Sequence, residues 1–215
     1  MAIYQQDKEG NLCRGIWQIE ESVDELLSLC SKPELYCASL AAFSSEKRRQ
    51  EWLSVRVLLS VLCGEEKEIA YLPNGKPYLV DDSYHISISH TRGYVAVILH
   101  PTEEVGIDIE QHSDRVGKVR SKFMQPSEEN QLVKANEICH LLLHWSAKET
   151  IYKLLGNEEV ELLRDIHIEA FAPEEEGSFI AKSTQKTKTK QHIVHYQVYS
   201  DFVMTYVVSS QNRLN

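Results

Sequence analysis

Two acidic side chains lie two residues apart in Val105–Glu110, a segment that alternates apolar residues with others. Residues two apart on a β-strand project from the same face, so Asp108 and Glu110 are predicted to point the same way. Two like charges side by side raise a carboxyl pKa unless a cation lies between them. Hard divalent cations such as Mg²⁺ take oxygen ligands. The spacing is typical of either a solvated strand edge or a Mg²⁺ site.

A third carboxylate, Glu149, lies on a predicted helix that spans roughly Ile138–Leu155. At about 100° per residue, Glu149 lies within the apolar stripe of this helix. That stripe consists of Ile138, Leu141, Leu142, Trp145, Tyr152 and Leu155. A buried carboxylate is costly without a cation beside it. Lys153, one turn further on, or a metal could supply that charge. Asp108, Glu110 and Glu149 together predict a three-carboxylate Mg²⁺ site.

Cationic and hydroxyl-bearing residues are grouped in the first half of the chain. Residues 47–49 (Lys-Arg-Arg) and Arg56 form a basic patch on a helix predicted to run from Ser44 or Ser45 to Cys63. Asn74–Pro77 is a turn that carries a lysine, and Ile86–His90 ends a strand with hydroxyls and an imidazole. Such groups donate hydrogen bonds to phosphate. These groups are typical of a solvated surface, and a local site for one small anionic ligand is the alternative.

Two similar sets of elements are predicted to position these residues. A short helix at 22–30, with Ser22 and Glu25 as its capping box, and the helix ending at Cys63 before Gly64 precede strand-like segments at 69–72, 85–89 and 94–99. After Pro101 the order begins again, with strand-like segments at 105–110, 165–171, 178–182, 193–199 and 202–208 and a hairpin tip at 182–190. The sequence predicts an α+β fold of two similar subdomains, 1–102 and 103–215, each a long helix packed on a small antiparallel sheet. A ligand is expected at their seam.

Length and composition limit the classes of function. The chain has 215 residues, 42% of them hydrophobic and 26% charged, with a net charge of −9. An acidic chain disfavours nucleic-acid binding through a general basic surface. No stretch approaches the roughly 20 apolar residues of a membrane span, and the first residues do not resemble a signal peptide. The five cysteines form no CxxC pair, so free thiols and a cytoplasmic location are expected.

Three segments, in this order, closely resemble the signature blocks of the 4′-phosphopantetheinyl transferase family. They are Ile86–His90, Val105–Glu110 and Trp145–Lys153, and the Asn74–Pro77 turn also fits. The resemblance is to the longer, pseudo-dimeric class of the family and runs from about Phe43 to Gly156. It implies transfer of the 4′-phosphopantetheine arm of coenzyme A to a serine of an apo acyl or peptidyl carrier protein. The reaction of this class depends on Mg²⁺ and releases 3′,5′-ADP.

The resemblance also implies individual roles. Asp108, Glu110 and Glu149 match the Mg²⁺ ligands, Glu149 also matches the base for the carrier serine, and Lys153 matches the lysine that stabilises charge on the transferring phosphate. The implied coenzyme A contacts are Lys76, Ser89, His90, Arg56 and Arg49, with Arg48 as the alternative to Arg49. A monomer is expected, because one chain supplies both halves of the site.

Several alternatives stay open at this point. The helical region 116–124 is predicted to dock the carrier through apolar contacts and through Lys118 and Lys122. Fatty-acid, polyketide and nonribosomal-peptide carriers are all candidates. The rival functions are another Mg²⁺-dependent nucleotide or diphosphate hydrolase, or a non-catalytic binding module. A zinc site from His140 and His144 is disfavoured, because the pair lacks the intervening glutamate of HExxH.

Overall fold

The computed structural model describes residues 3–156 and 159–209. Among these residues, two antiparallel sheets and two long helices dominate. The strands are β1 (Ile3–Glu9), β2 (Leu12–Gln18), β3 (Ile69–Tyr71), β4 (Pro77–Leu79), β5 (His85–Thr91), β6 (Tyr94–His100), β7 (Val105–Gln111), β8 (Ile166–Ile168), β9 (Glu176–Gln185), β10 (Lys188–Val198) and β11 (Phe202–Val208). The α-helices are α1 (Val23–Ser28), α2 (Cys37–Ala41), α3 (Glu46–Cys63), α4 (Arg115–Val119), α5 (Pro126–Glu129), α6 (Glu137–Leu155) and α7 (Leu162–Asp165).

The first sheet has the strand order β1-β2-β6-β5 and packs one face against α3. Alternate residues of the strands face the helix, among them Trp17, Val95 and Val97, and meet Leu53 and Leu58 of α3. This is the two-residue periodicity of a half-buried strand meeting an amphipathic helix. The small β3-β4 hairpin lies outside this sheet.

The second sheet has the order β7-β11-β10-β9-β8, and α6 packs across β7 and β11. Helix α6 comes closest to the sheet at Gly106 of β7, where a Cβ atom would collide with the carbonyl oxygen of Thr150 on α6. Glycine therefore lets the helix lie directly over the strand that carries Asp108 and Glu110. Both carboxylates are on the same strand face as Gly106, as the sequence spacing predicts.

The opposite faces of the two sheets share a third apolar cluster. It joins Ile16, Ala96 and Ile98 of the first sheet to Ile107 and Met204 of the second. At one corner of this arrangement, β5 lies beside β7, although the two strands belong to different sheets. The α+β class is confirmed, and one long helix per antiparallel sheet is compatible with internal duplication. The division at residues 102 and 103 stays a prediction.

Most predicted elements are present. The predicted helix at 22–30 matches α1, whose capping box uses Ser22 and Glu25 as expected, and α3 ends at Gly64 in the left-handed conformation. No strand is predicted before α1, yet β1 and β2 form a hairpin there. Among the described residues, no helix has both the length and the apolar character needed to cross a bilayer.

The predicted inner face of α6 is only partly correct. Leu141 and Leu142 are buried, but the other four residues of the predicted stripe are only partly buried against the same core. The helix is buried on almost every side, and its more open stripe runs through Trp145, Glu149, Tyr152 and Lys153. The reason is that α6 packs against β7 and β11 on one side and against α4 and α7 on others. Apolar periodicity therefore does not identify a single buried face on this helix. Glu149 is half-buried on the open stripe and not inside an apolar one.

Candidate active site

Asp108 lies at the centre of the candidate site. Its side chain is 5% exposed, and Oδ1 accepts hydrogen bonds from Lys153 Nζ at 2.7 Å and from Ser89 Oγ at 2.9 Å. The other oxygen, Oδ2, is buried and has no hydrogen-bond partner among the described residues. Because buried carboxylate oxygens normally have a partner, Oδ2 is well suited to accept a cation.

Glu110 is half-buried beside Asp108, and its Oε1 accepts a 2.6 Å hydrogen bond from the indole Nε1 of Trp145. Burial, reinforced by the charge of Asp108, raises the pKa of Glu110 to about 7, and the Trp145 bond and Lys153 oppose the rise. Trp145 has no predicted role in the site. Its position four residues before Glu149, one helical turn away, is the signal that it belongs to the site.

Glu149 and Lys153 come from α6 and lie one turn apart on its open stripe. Burial raises the pKa of Glu149, the charge of Asp108 adds to the rise, and Lys153 opposes it. The Lys153 ammonium also donates to the Ile107 carbonyl oxygen at 3.2 Å. One strand and one helix, β7 and α6, thus bring the predicted catalytic residues into a single electrostatically coupled cluster.

The fit of this cluster to a divalent cation rests on its donor set. Three carboxylates interact electrostatically; one of them has an unpartnered buried oxygen, and the other two have raised pKa values. A divalent cation would relieve each of these costs. In the conformation described, however, no three carboxylate, imidazole or thiol side chains among residues 3–156 and 159–209 converge to metal-binding distance. The Lys153 ammonium is the cation that Asp108 contacts there.

A second group of residues lines a cavity of about 180 Å³ next to the cluster. Arg48 Nη1 donates to His90 Nε2 at 2.8 Å and lies 3.3 Å from Glu51 Oε2. The guanidinium and the imidazole therefore lie side by side at the cavity wall. The β3-β4 turn borders this cavity through Gly75 and Pro77.

The structure separates the two arginines that the sequence analysis left as alternatives. Arg49 points away from the cavity, and its guanidinium donates to the carbonyl oxygens of Leu40 and Phe43 at 2.7 to 3.1 Å. Those bonds satisfy backbone groups at the end of α2. Arg48 is the arginine beside His90, so the geometry favours Arg48. Arg56 is buried, lies 3.2 Å from the Trp52 ring centroid and also lines the cavity.

Lys76 and Ser89 are already occupied by partners within the protein. Lys76 Nζ contacts Glu104 Oε2 at 2.6 Å and the Leu154 carbonyl oxygen at 3.1 Å, near the C-terminal end of α6. Asn74 Nδ2 donates to the Gly156 carbonyl oxygen at 2.6 Å. The β3-β4 turn therefore holds the end of α6, and a cavity of about 160 Å³ lies between the turn and Lys153.

One buried ion pair next to the site was missed by the sequence analysis. Lys148 and Glu128 are both fully buried, with Nζ 2.8 Å from Oε2. Lys148 also donates to the Phe123 carbonyl oxygen, and Glu128 accepts from the Ile168 amide. Nothing local predicts this pair, because the two residues are 20 positions apart.

His140 and His144 are not arranged as zinc ligands. His140 Nδ1 accepts from the Val133 amide, so its Nε2 carries the proton, while His144 Nδ1 faces the His140 carbonyl oxygen at 2.9 Å. Burial lowers the pKa of each imidazole to about 4. Both rings pack against Phe171 in the core of the second half.

The region predicted to dock a carrier does not expose its apolar side chains. Val116, Phe123 and Met124 are buried in the core around α6, whereas Lys118 and Lys122 are exposed. The expectation of apolar docking contacts from these residues is therefore wrong. The exposed side of this region is cationic.

Comparison with known proteins bears on the half of the chain that carries the carboxylates. Residues 104–207 match the family model of the 4′-phosphopantetheinyl transferase superfamily. The match covers just under half of the chain and extends from β7 almost to the end of β11, including Asp108, Glu110, Glu149 and Lys153. No curated protein matches the chain. The superfamily supports phosphopantetheinyl transfer, and the pseudo-dimeric class within it stays a prediction.

Proposed function

We propose that this protein is a Mg²⁺-dependent 4′-phosphopantetheinyl transferase of the pseudo-dimeric class. It moves the phosphopantetheine arm of coenzyme A onto a serine of an apo acyl or peptidyl carrier protein and releases 3′,5′-ADP. The observation that carries the proposal is the cluster of Asp108, Glu110, Glu149 and Lys153, which lies within the segment that matches the superfamily. We propose a monomer that acts in the cytoplasm.

Asp108, Glu110 and Glu149 would hold the Mg²⁺, and their donor set fits such a cation. When bound, Mg²⁺ neutralises negative charge on pyrophosphate oxygens. Glu149, within reach of the same cluster, is also the proposed base that takes the proton of the carrier serine. The serine oxygen forms a bond to the β-phosphorus, and the bond from that phosphorus to the bridging oxygen breaks. Lys153 supplies positive charge beside the transferring phosphate.

Coenzyme A is expected to bind along the first half of the site. Arg48 and His90 border the 180 Å³ cavity and offer donors to its 3′-phosphate. Lys76, Ser89 and Arg56 remain proposed contacts. Lys76 would exchange Glu104 for a phosphate oxygen, because both are anionic acceptors of comparable geometry.

The carrier is expected to dock on the exposed cationic side of residues 116–124. Lys118 and Lys122 complement the acidic surface that is typical of carrier proteins, and charge complementarity raises the association rate. The net charge of −9 makes this local patch important, since the mean field of the chain repels an acidic partner.

Intact-protein mass spectrometry tests the proposal directly. Apo carriers of the fatty-acid, polyketide and nonribosomal-peptide types are incubated with the protein, coenzyme A and Mg²⁺. Each accepted carrier should gain one phosphopantetheine arm, and EDTA should abolish the gain. Coenzyme A consumed without any carrier would instead indicate a hydrolase. Absence of both transfer and coenzyme A binding would contradict the proposal.

The Asp108→Ala variant should fold but lose nearly all transfer activity. The variant removes the central carboxylate of the cluster, and loss of such an electrostatic group costs roughly 100-fold or more in kcat. Circular dichroism checks the fold and the mass-spectrometric assay gives the rate. Robust turnover by Asp108→Ala would refute its assignment as a Mg²⁺ ligand.

A further inference from the structure

Three hydroxyl side chains on β5 join the two sheets at the corner where the candidate site lies. The amides of Ile107, Ile109 and Gln111 donate to Ser87 Oγ at 3.1 Å, Ser89 Oγ at 3.3 Å and Thr91 Oγ1 at 3.1 Å, respectively. We call Ser87, Ser89 and Thr91 the hydroxyl ladder. Because β5 and β7 belong to different sheets, these side-chain bonds take the place of the backbone hydrogen bonds that join neighbouring strands within one sheet.

The ladder follows from the two-residue periodicity of β5. Ser87, Ser89 and Thr91 share one strand face, while Ile86 and Ile88 pack on the other, against the α3 core. A side-chain oxygen reaches out from the strand, so β5 can turn out of the plane of the second sheet and still satisfy the amides of β7. Buried amides require such partners.

The carboxylates of the candidate site lie between the rungs of this ladder. Asp108 has Ile107 on one side and Ile109 on the other, and Glu110 has Ile109 and Gln111. Each carboxylate-bearing residue therefore lies between two residues whose amides donate to hydroxyl oxygens of β5. Lys153 strengthens the same arrangement, because its Nζ contacts the Ile107 carbonyl oxygen and Ser89 Oγ at 3.2 and 2.9 Å.

We propose that Ser87 and Thr91 are positioning residues that hold Asp108 and Glu110 in place for a divalent cation. Neither hydroxyl contacts a carboxylate of the site, and each acts through the β7 backbone. The inference rests on the proposed function, in which these carboxylates bind Mg²⁺. Ser89 has the same ladder role but also contacts Asp108 and Lys153 directly, so it is unsuited to a clean test.

Thr91 offers a matched pair of variants. Thr91→Val keeps the shape of the side chain and removes the acceptor, whereas Thr91→Ser keeps the acceptor. Ser87→Ala tests the other end of the ladder. Ser54→Ala is the control, because Ser54 Oγ is buried on α3 without a hydrogen-bond partner among the described residues. If Ser87→Ala fails to fold, Thr91→Val still tests the proposal, because Thr91 lies at the half-buried end of the hydroxyl ladder.

Two measurements on the full chain distinguish a role in orienting the carboxylates from a role that only joins β5 to β7. Amide hydrogen exchange should show faster exchange at Gln111 in Thr91→Val and at Ile107 in Ser87→Ala. Mn²⁺ affinity, measured by electron paramagnetic resonance with MnCl₂ alone, should fall roughly 10- to 100-fold in both variants, as it does when outer residues that orient metal ligands are removed. Thr91→Ser and Ser54→Ala should bind Mn²⁺ as the unaltered protein does.

Each outcome decides the inference. Faster exchange with unchanged Mn²⁺ affinity would show that the ladder only joins the sheets, and would overturn the positioning role. No Mn²⁺ binding by the unaltered protein would overturn the cation assignment and this inference together. The expected Mn²⁺ pattern without modification of any carrier would support the ladder while contradicting the transferase proposal.

Discussion

At the scale of single residues, the site depends on how burial changes the charge of each carboxylate. Glu110 has a pKa of about 7 because it is half-buried beside Asp108, whereas the Trp145 indole and Lys153 favour its ionised form. The carboxyl group is thus largely protonated below pH 7 and ionised above it. A neighbouring divalent cation favours ionisation and lowers that pKa.

Trp145 fluorescence should report this titration in the metal-free protein. We expect the emission to change with a midpoint near pH 7, because the indole donates to Glu110. Mg²⁺ should shift the midpoint to lower pH. The sequence contains three tryptophans, so Trp145→Phe is the control and should abolish the transition. If Mg²⁺ leaves the midpoint unchanged, Glu110 is not a Mg²⁺ ligand.

At the scale of elements, the beginning of α3 gives adjacent arginines different tasks. Arg48 faces the cavity beside His90, while Arg49 donates to carbonyl oxygens at the end of α2. We expect Arg48→Ala to raise the KM for coenzyme A by roughly tenfold, because it removes a charged hydrogen bond. Steady-state kinetics at several coenzyme A concentrations measures the effect.

Arg49→Ala is the matched variant one position along the helix. It should lower the free energy of unfolding by about 1–3 kcal/mol, because the carbonyl oxygens of Leu40 and Phe43 lose a charged donor, and the KM for coenzyme A should stay unchanged. Urea unfolding gives the stability. The opposite pattern, with KM raised only by Arg49→Ala, would restore Arg49 as the phosphate contact.

Helix α6 is joined to α5 and β8 by the fully buried Lys148–Glu128 pair. Lys148→Met should cost about 3–5 kcal/mol of stability, because it leaves the Glu128 carboxylate buried without its cation. Lys182→Met is the control, since Lys182 pairs with Glu169 on the surface and such a pair is worth at most about 1 kcal/mol. Urea unfolding should show this contrast, and equal losses would contradict the buried-pair account.

At the scale of the whole molecule, stability should depend on pH through three buried histidines. Burial lowers the pKa of His140, His144 and His192 to about 4, against about 6.5 in an unfolded chain. Between these values the unfolded chain binds protons that the folded protein does not. The stabilising contribution of the histidines is therefore complete above pH 6.5 and falls as the pH drops towards 4, by on the order of 3 kcal/mol per histidine. The raised pKa of Glu110 contributes one opposite term, which the three histidines together outweigh.

Thermal unfolding from pH 8 to 4 measures this loss. His144→Phe should make the decrease in Tm less steep, because it removes one titrating group from the core. Phe171→Leu loosens the same cluster without removing a proton site, so it should lower Tm by a similar amount at every pH. A pH profile left unaltered by His144→Phe would contradict the role of that imidazole.

The sequence alone determined the features that depend on neighbours along the chain. The alternation of Val105–Glu110 correctly predicts that Asp108 and Glu110 share a strand face, and capping and glycine signals locate α1 and the end of α3. The motif blocks indicated a superfamily that the match at residues 104–207 supports. These signals are local because strand pleat, helix caps and turns involve residues only a few positions apart.

Only the tertiary structure decided which groups meet across the chain. It decided that Arg48 and not Arg49 stands beside His90, and that Lys153 contacts Asp108, a residue 45 positions away. It also showed that the hydroxyls of β5 hold the amides of β7, each pair 20 positions apart. Periodicity on α6 was only partly correct because neighbours cover most of its circumference. Such contacts come from the packing of the sheets and helices, which no local pattern encodes.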